Sequence, residues 1–324
     1  MSLLDQMVKE KCDVVVMEVS SFGLVQHRIG PTHFDISVFT NLTQDHLDYH
    51  KTMEEYYRAK KMLFDISDIA ICNLDDEYGQ RLFKEIECEK YGFSCKKKSD
   101  FYADVIKIKS DNTTFWFCYD GKCLNVTMNM TGMFNVENIT ASMAVCVKFG
   151  ISPEKIISAV SECNGVKGRC EIIPTGRNFT VICDYAHTPD AVENILSNVK
   201  EYCEGRLICL FGCGGNRDST KRPLMAKAAA KYADILIVTS DNPRNEEPEM
   251  IIDDILAGLE GIKTKYCVEV DRRKAIYKAL AMAEENDIIV LAGKGHEDYQ
   301  ILKDNVHIHF DEREVVADGL KLLK

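Results

Sequence analysis

The sequence has no long apolar run, and this excludes a membrane-spanning protein. No uninterrupted apolar stretch approaches the roughly 18 residues needed to cross a bilayer. The first residues, MSLLDQMVKEKCDVVVMEVSS, carry acidic side chains and have no basic segment followed by a cleavage site, as a secretory leader would have. We therefore expect a cytoplasmic protein with no membrane partner. Its 324 residues suggest two domains.

The sequence also lacks an excess of basic charge. It has 40 Lys and Arg against 51 Asp and Glu, a net charge of −11, and its densest basic run, Lys96 to Lys98, is short. A domain that binds a nucleic-acid duplex normally presents a basic stripe to the phosphates. We therefore expect no nucleic-acid partner.

Paired cysteine motifs are absent, although cysteine itself is not scarce. The 14 cysteines are scattered, none forms a Cys-x-x-Cys pair, and most lie in apolar runs such as Ile208-Cys209-Leu210. In a chain without an export signal this pattern is typical of buried, reduced thiols. A disulfide framework and a cysteine metal site are the less favoured alternatives.

Runs of β-branched residues alternate with amphipathic helical patterns, and this alternation predicts an α/β fold. Between 102 and 128 the runs become short and alternating, with Asp120-Gly121 as a hairpin turn. The other elements predicted in the first half are parallel strands over 13–17, 35–39 and 69–72 and helices over 135–149 and 154–163.

A second α/β unit follows the glycine-containing segment 163–169, where we place the domain boundary. The predicted domains are 1–167 and 168–324. Five strands in the second domain fit a doubly wound sheet, in which ligands bind outside the carboxyl ends of the strands. These strands are predicted near 180–183, 206–211, 235–239, 265–270 and 287–291.

Polar and glycine-rich segments leave these strands and favour a binding pocket. Gly212 to Asp218 is glycine-rich, Asp241 to Arg244 follows the next strand, and Gly293 to Glu297 follows the last. Two arginines and an acid at neighbouring strand ends would suit a zwitterionic ligand. A glycine-rich turn without special function is the alternative for the first segment, which is not a Walker A loop.

The first half carries a possible metal site. Glu18 ends one predicted strand, and Asp45, His46 and His50 follow the next; oxygen-rich surroundings with one imidazole suit Mg²⁺ or Mn²⁺. Lys60 lies on the inner face of a predicted helix, where an ammonium needs a partner or a modification. The alternatives are a helix N-cap after Glu18, a surface His–Asp pair and a surface lysine.

Taken in order, these segments resemble the Mur ligases, and the resemblance covers essentially the whole chain. It implies the remainder of a central Mur ligase ATPase domain, with a mostly parallel sheet plus a small antiparallel sheet, followed by a Rossmann-like C-terminal domain. The segments that carry it are Glu18 to Ser21, Thr40 to Leu42, Asp45 to His50, Gly168 to Glu171, Asp184 to Pro189, Gly212 to Asp218, Lys221 to Met225, Asp241 to Arg244 and Gly293 to Gln300.

The resemblance implies ATP-dependent amide formation in peptidoglycan precursor synthesis. The expected substrates are UDP-MurNAc-L-Ala-D-Glu, meso-diaminopimelate and ATP, with Mg²⁺ as cofactor. ATP would convert the D-glutamate γ-carboxylate to an acyl phosphate, which the amine of meso-diaminopimelate attacks. The Asp-Asn-Pro-Arg form of Asp241 to Arg244 goes with meso-diaminopimelate rather than L-lysine, because Arg244 can pair with the second carboxylate.

The resemblance also assigns residues to each part of the site. Glu18, His46 and a carbamylated Lys60 would serve the metal and catalysis. Ser20, Gln26 and Arg28 would bind the UDP-muramoyl-dipeptide. The residues expected near ATP are Asn135, Asn138, Arg169, Asp184, Tyr185 and His187. The residues expected to bind the amino acid are Arg217, Asp241, Asn242, Pro243, Arg244, Gly293 and Glu297.

The family's phosphate-binding loop, Gly-Thr-Asn-Gly-Lys-Thr, does not occur in these 324 residues. The resemblance places that loop on the amino side of Met1, so we expect a fragment with little or no turnover alone. A non-catalytic module that binds amino acid or nucleotide is one alternative. One subunit of a split ligase, with another chain supplying the missing portion, is a second. Folylpolyglutamate synthase and the other Mur ligases are close rivals within the class.

Overall fold

The computed structural model describes residues 2–43 and 47–323. The first sheet has six strands in the order β1-β2-β3-β4-β5-β6, and β1 to β4 pair in parallel. Its strands are β1 (Phe34–Phe39), β2 (Ser67–Asn73), β3 (Glu89–Ser94), β4 (Phe101–Ile108), β5 (Thr113–Tyr119) and β6 (Lys122–Met128). The helices of this part are α1 (Ser2–Lys9), α2 (Ser21–Val25), α3 (Leu47–His50), α4 (Met53–Lys61), α5 (Glu77–Glu85), α6 (Met133–Lys148) and α7 (Pro153–Glu162).

The second sheet has the order β11-β10-β9-β12-β8-β7 and is parallel except for the β7–β8 pair. Its strands are β7 (Glu171–Ile173), β8 (Thr180–Asp184), β9 (Leu207–Phe211), β10 (Ile235–Val238), β11 (Lys265–Val268) and β12 (Ile288–Ala292). A small antiparallel pair, β13 (Tyr299–Ile301) and β14 (His307–His309), follows. The helices are α8 (Pro189–Lys200), α9 (Lys221–Tyr232), α10 (Pro248–Leu256), α11 (Arg272–Met282) and α12 (Glu312–Leu322).

Helices cover both faces of the second sheet at β8, β9, β10 and β12, whose residues are apolar and buried on both sides. Leu207, Cys209 and Phe211 of β9 pack with residues of α8, α9 and α10. Ile208 and Leu210 of the same strand pack with residues of α11 and α12. Strands buried on both faces form continuous apolar runs in the sequence, which is why β8, β9, β10 and β12 are predicted correctly. The strand predicted at 265–270 is also confirmed, as β11, although most of its residues are exposed.

By its contacts the chain divides into two compact units. The first comprises Met1–Asp104, Phe117–Cys123 and Glu137–Ile151, and the second comprises Val105–Trp116, Leu124–Val136 and Ser152–Lys324. Among the described residues, no helix is both long enough and apolar enough to cross a membrane.

The predicted strand over 13–17 is wrong. This stretch forms no strand with any described residue, and Val16 is 93% exposed. A parallel strand is stabilised by hydrogen bonds to a neighbouring strand and by packing on its faces. Among the described residues β1 is an edge strand of its sheet, so the segment 13–17 does not pair with it. The predictions for 35–39, 69–72, the hairpin at Asp120-Gly121 and both helices are confirmed.

The prediction of buried, reduced cysteines is correct at six positions, while four further thiols are reduced but only partly buried, and it is wrong at four positions. Cys118 and Cys123 form a disulfide, because the two-residue turn between β5 and β6 places them opposite each other. Cys12 and Cys163 are exposed thiols. Six thiols are buried: Cys72, Cys95, Cys170, Cys183, Cys209 and Cys213. Burial raises the pKa of five of them to about 12 and raises the pKa of Cys183 well above its usual value.

Candidate functional site

The carboxyl ends of β10 and β12 bring four polar side chains into contact. The Nζ of Lys294 lies 3.2 Å from Oδ1 of Asp241, 3.0 Å from Oδ1 of Asn242 and 3.1 Å from Oε2 of Glu297. The Nδ2 of Asn242 donates to the same Oε2 of Glu297 at 3.0 Å. Two carboxylates, an amide and a lysine therefore form one network at the edge where a doubly wound sheet binds ligands.

Arg244 lies against the glycine-rich turn that follows β9. Its Nη1 donates to the carbonyl of Gly215 at 2.9 Å, and the N–H of Gly215 donates to the carbonyl of Asn242 at 2.9 Å. A Cβ on Gly215 would lie 1.9 Å from the carbonyl oxygen of Pro243, and one on Gly214 would lie 2.8 Å from Nη1 of Arg244. Gly215 is therefore needed for this close approach of the two turns, whereas a side chain at position 214 would displace only the end of the Arg244 side chain.

Strand β13 forms hydrogen bonds with the segment Asp241 to Arg244. The N–H of Ile301 donates to Oδ1 of Asn242 at 3.0 Å, and the N–H of Arg244 donates to the carbonyl of Ile301 at 3.1 Å. The side chain of Gln300 donates to the carbonyl of Asp241. Arg244 itself has a φ of 52°, a conformation that needs such support in a residue with a side chain.

The structure brings together most of the residues predicted to bind an amino acid. Asp241, Asn242, Pro243 and Gly293 are buried, while Arg244 and Glu297 are partly exposed. Arg217 lies on the glycine-rich turn with an exposed side chain. The arrangement offers guanidinium groups for carboxylates and carboxylates for an ammonium group, as a zwitterionic ligand requires.

Four of the residues predicted to lie near ATP gather at the end of β8. Both oxygens of Asp184 accept backbone N–H bonds, from Cys170 at 2.7 Å and from Ala186 at 2.8 Å. Burial raises the pKa of Asp184, although these bonds and the charge of Arg169 oppose the shift. Asp184 therefore shapes the loop that presents the aromatic side chains.

The ring of Tyr185 is the centre of that group. The ring of His187 lies 4.7 Å from it, the ring of His296 lies 5.0 Å from it, and the guanidinium of Arg169 stands 5.5 Å above it. Arg169, His187 and His296 are exposed. A cluster of exposed aromatic and cationic groups of this kind can bind a planar or anionic ligand.

The two predicted asparagines lie on α6. The side chain of Asn135 is partly buried and donates to the carbonyl of Thr131 at 2.8 Å. Asn138 is exposed, and its carbonyl accepts a bond from the hydroxyl of Ser142 at 2.8 Å. Only Asn138 therefore presents an exposed side chain.

In the first unit, the residues predicted to bind the UDP-muramoyl-dipeptide lie around α2. Ser20 is the N-cap of this helix, and its Oγ accepts the N–H of Gly23 at 3.1 Å. Gln26 and Arg28 follow the helix with exposed side chains. The N-cap alternative and the binding prediction for Ser20 are compatible, because a hydroxyl has further hydrogen-bonding capacity.

Lys60 of α4 lies beside an aromatic group in this unit. Its Nζ stands 5.3 Å above the ring of Tyr56, and that ring stacks on His50 with centroids 5.0 Å apart. The Nε2 of His50 lies 2.8 Å from Oγ of Ser21, and both residues are buried. His50 therefore links α2 and α4, a role that its position in the sequence did not indicate.

The predicted metal ligands are only partly described. His46 lies outside the described residues, Glu18 is exposed, and Lys60 is partly buried. The described part of the chain contains no cluster of three or more His, Cys, Asp or Glu that could hold a metal. A carboxylate, an imidazole and a carbamylated lysine would suit Mg²⁺ chemically, and the imidazole of this set, His46, is not among the described residues.

Three further residues of the second unit support the strand ends, and sequence reasoning gave them no role. They are Lys294, Arg222 and Arg272. Arg222 is 2% exposed and donates to the carbonyl of Gly214 at 3.3 Å, so it supports the glycine-rich turn from the protein interior. The sequence offers no signal of their burial, because Arg222 follows Lys221, Arg272 stands in the charged run 271–274, and Lys294 lies in the polar segment 293–297.

A cavity of about 820 Å³ lies elsewhere in the second unit. Thr180 at the start of β8 and Asn286 before β12 are among its lining residues, so it lies at the amino-terminal edge of the sheet. It includes none of the predicted site residues. The chemistry at the opposite edge, rather than this cavity, identifies the candidate site.

Comparison with known proteins matches both halves of the chain to one family. A family profile described as "Mur ligase middle domain" matches residues 1–146. A second profile, described as "Mur ligase, glutamate ligase domain", matches residues 168–295.

Several similar proteins have the same name. The chain is 48% identical over 324 residues to UDP-N-acetylmuramoyl-L-alanyl-D-glutamate--2,6-diaminopimelate ligase 1 of Clostridium acetobutylicum, covering 99% of this chain and 66% of the relative. It is 46% identical over 323 residues to the corresponding ligase of Clostridium tetani, with the same coverages.

A solved structure with the same name has a TM-score of 0.72 and 34% identity, and the match covers 94% of this chain and 64% of that one. The chain thus spans about two thirds of the length of the proteins it matches.

Proposed function

The chain belongs to the Mur ligase family, and from this membership we propose that it provides the amino-acid site of an ATP-dependent ligase. The proposed reaction joins meso-diaminopimelate to UDP-MurNAc-L-Ala-D-Glu in peptidoglycan precursor synthesis. The observation that carries the proposal is the pocket of Asp241, Arg244 and Glu297 at the strand ends. The names of the similar proteins support the same substrates.

The pocket is complementary to a diamino dicarboxylic acid. Its acidic side, Asp241 and Glu297, would accept an ammonium group, and its basic side, Arg244 with Arg217, would bind a carboxylate. L-lysine has no second carboxylate, so it would leave Arg244 without an anionic partner. We therefore expect meso-diaminopimelate to be preferred over L-lysine.

The contribution of these residues to the reaction is to orient the nucleophile. With both groups of the far end held, the free amine at the other end would point out of the pocket toward the D-glutamate γ-acyl phosphate formed from ATP. Attack by the neutral amine forms the C–N bond of the amide, and inorganic phosphate leaves with the electrons of the broken C–O bond. The proton that the amine nitrogen loses passes to phosphate or water. Positioning of this kind lowers the barrier by removing motional freedom before the step.

The nucleotide and metal assignments are further parts of the proposal. We propose that Arg169, Asp184, Tyr185 and His187, with Asn135 and Asn138, lie near ATP, and that Ser20, Gln26 and Arg28 bind the UDP-muramoyl-dipeptide. Glu18, His46 and carbamylated Lys60 would hold Mg²⁺, which would supply charge neutralisation for the phosphates. The proposed domains are 1–167 and 168–324, and the proposed location is the cytoplasm.

A ligation assay on the 324-residue chain tests the activity. The chain is incubated with UDP-MurNAc-L-Ala-D-Glu, meso-diaminopimelate, ATP and Mg²⁺, and ADP and the mass of the UDP-linked tripeptide are measured. Binding of meso-diaminopimelate with little ADP is the expected result for this chain alone. Addition of a polypeptide that bears the phosphate-binding loop should then restore ligation.

Other outcomes separate the alternatives. Ligation at the rate of an intact ligase by the chain alone contradicts the expectation of a fragment. Binding that no loop-bearing polypeptide converts to ligation supports a non-catalytic module. No binding of meso-diaminopimelate contradicts the proposed amino-acid site itself.

A further inference from the structure

The side chain of Lys294 is fully buried, although it lies at the edge of the proposed amino-acid pocket. Its ammonium is 3.0–3.2 Å from one oxygen each of Asp241, Asn242 and Glu297. An ammonium group has three N–H donors, so these three partners use all of them. Lys294 therefore has no donor left for a ligand, and its role must act through its partners.

The charge balance of this network explains why a lysine is present. Asp241 and Glu297 face the same ammonium, and without it two carboxylates would share a partly dry pocket. Without the ammonium between them the two negative charges repel, and one of the two carboxylates would rotate away. With Lys294 between them, the network keeps both carboxylates in place and carries one net negative charge.

The other contacts of the network fix its geometry rather than its charge. The amide of Asn242 donates to Glu297 and accepts from Lys294 and from the N–H of Ile301. The guanidinium of Arg272, also fully buried, is the next cation. Burial opposes its charge, but the negative charges of Glu312 and then of Asp241 raise its pKa. Arg272 donates to Glu312 and to the carbonyl of Ala292, so it does not replace Lys294 in the pocket.

We propose that Lys294 is a positioning residue that holds Asp241, Asn242 and Glu297 as one receptor, of single negative charge, for the ammonium group at the far end of a diamino acid. This inference rests on the proposed function and deepens it. It assigns the recognition of the amino group to a network organised by Lys294, while Arg244 recognises the carboxylate.

The test compares two ligands that differ only in that ammonium group. L-2-aminopimelate has both carboxylates of meso-diaminopimelate and one amino group fewer. Both are titrated calorimetrically into the wild-type chain, into Lys294→Met and into Lys231→Met. Lys231 is the matched control, because it forms an exposed ion pair with Glu193 at 2.6 Å in the same unit.

The wild-type chain and Lys231→Met should bind meso-diaminopimelate more tightly than L-2-aminopimelate. Lys294→Met should bind meso-diaminopimelate about tenfold or more weakly, as expected for loss of charge-assisted hydrogen bonds. Its affinity for L-2-aminopimelate should change little, so the preference disappears. Unchanged or tighter binding of meso-diaminopimelate overturns the inference, and so does an equal loss for both ligands.

The wild-type result separates this inference from the proposed function. If the wild-type chain does not bind meso-diaminopimelate, the proposed amino-acid site is wrong and the inference fails with it. If the wild-type chain binds and Lys294→Met keeps the preference, only the role of Lys294 is wrong.

A second measurement decides the case if Lys294→Met does not fold. Lysine ammonium signals of the ¹⁵N-labelled wild-type chain are recorded by NMR, with Lys294 identified by its contacts to Asn242. Its protons should exchange slowly with water and shift on addition of meso-diaminopimelate but not of L-2-aminopimelate. Fast exchange, or equal responses to both ligands, contradicts the inference.

Discussion

Arg272 and Glu312 form an ion pair with no solvent exposure of either side chain, and Nη2 lies 2.7 Å from Oε1. Arg272 is the first residue of α11 and Glu312 is the first residue of α12. The guanidinium also donates to the carbonyl of Ala292 at 2.9 Å, and the Sγ of Cys183 donates to Glu312 at 3.2 Å. The pair therefore connects the first residues of α11 and α12 to the ends of β8 and β12, from which the segments of the proposed site continue.

Breaking this pair on one side should be strongly destabilising. Arg272→Met leaves the buried carboxylate of Glu312 without its cation, and we expect a loss of about 3–5 kcal/mol in the free energy of unfolding. The double variant Arg272→Met with Glu312→Leu removes both charges and should lose less. Urea denaturation of the three proteins measures this. A double variant as unstable as the single one would show that the uncompensated charge is not the cause.

Gly168 should tolerate alanine much less well than another glycine with similar backbone. Gly168 has a φ of +72°, and a Cβ there would lie 2.1 Å from the backbone nitrogen of His296. Gly176 has a φ of +63°, but a Cβ there would meet nothing within 4 Å. Gly176→Ala should cost about 1 kcal/mol, the price of the left-handed conformation alone, while Gly168→Ala should cost several times more. Equal shifts in thermal unfolding for the two variants would refute the packing argument.

The stabilising effect of Arg313 should depend on pH. Arg313 donates to Glu171 at 2.7 Å and to Asp311 at 2.8 Å, and these bonds hold the pKa of both carboxyls below the usual value although burial opposes the shift. A carboxyl with a lowered folded-state pKa adds stability that is present above its unfolded pKa, about 4, and lost as pH falls through the folded value.

Arg313→Met should therefore lower the free energy of unfolding by about 2 kcal/mol at pH 7 and by clearly less near pH 3. Part of the loss should remain, because Arg313 also donates to the carbonyl of Gly295 at 2.8 Å, which does not titrate. Arg273→Met, which removes an exposed contact to Asp318, is the control and should have little effect at either pH. A pH-independent difference for Arg313→Met would contradict the linkage.

Arg244 should distinguish meso-diaminopimelate from L-lysine. Its guanidinium lies at the glycine-rich turn, 2.9 Å from the carbonyl of Gly215, where it can meet the second carboxylate of the ligand. Arg244→Ala should weaken binding of meso-diaminopimelate about tenfold or more and leave the weak binding of L-lysine nearly unchanged. Calorimetric titration of both ligands measures the two losses, and similar losses would disprove the carboxylate-pairing argument.

The sequence predicts those strands whose own residues are apolar along their whole length. The apolar runs of β8, β9, β10 and β12 need no distant information, because helices cover both faces of that sheet. The strand β3 (EKYGFS) was not predicted, since its polar composition hides its pairing with β2. The segment 13–17 is the opposite case: its apolar composition predicts a strand, but it has no strand partner among the described residues.

Some residues of the site are also predictable from the sequence, while contacts between residues far apart in the chain are not. Strand ends identified Asp241 and Glu297 as candidates, since polar residues after buried strands collect at one edge of a parallel sheet. The burial of Lys294 could not be predicted, because it depends on a carboxylate 53 residues away in the sequence. The link from His50 to Ser21, 29 residues apart, was hidden for the same reason.

The central claim, that the ends of β10 and β12 form the site for meso-diaminopimelate, is tested most directly by an NMR titration. Backbone amides of the ¹⁵N-labelled chain are followed as meso-diaminopimelate is added. The account predicts saturable shifts centred on Asp241 to Arg244, Gly212 to Asp218 and Gly293 to Ile301. Saturable shifts centred on the cavity around Thr180, or no saturable shifts, would contradict it.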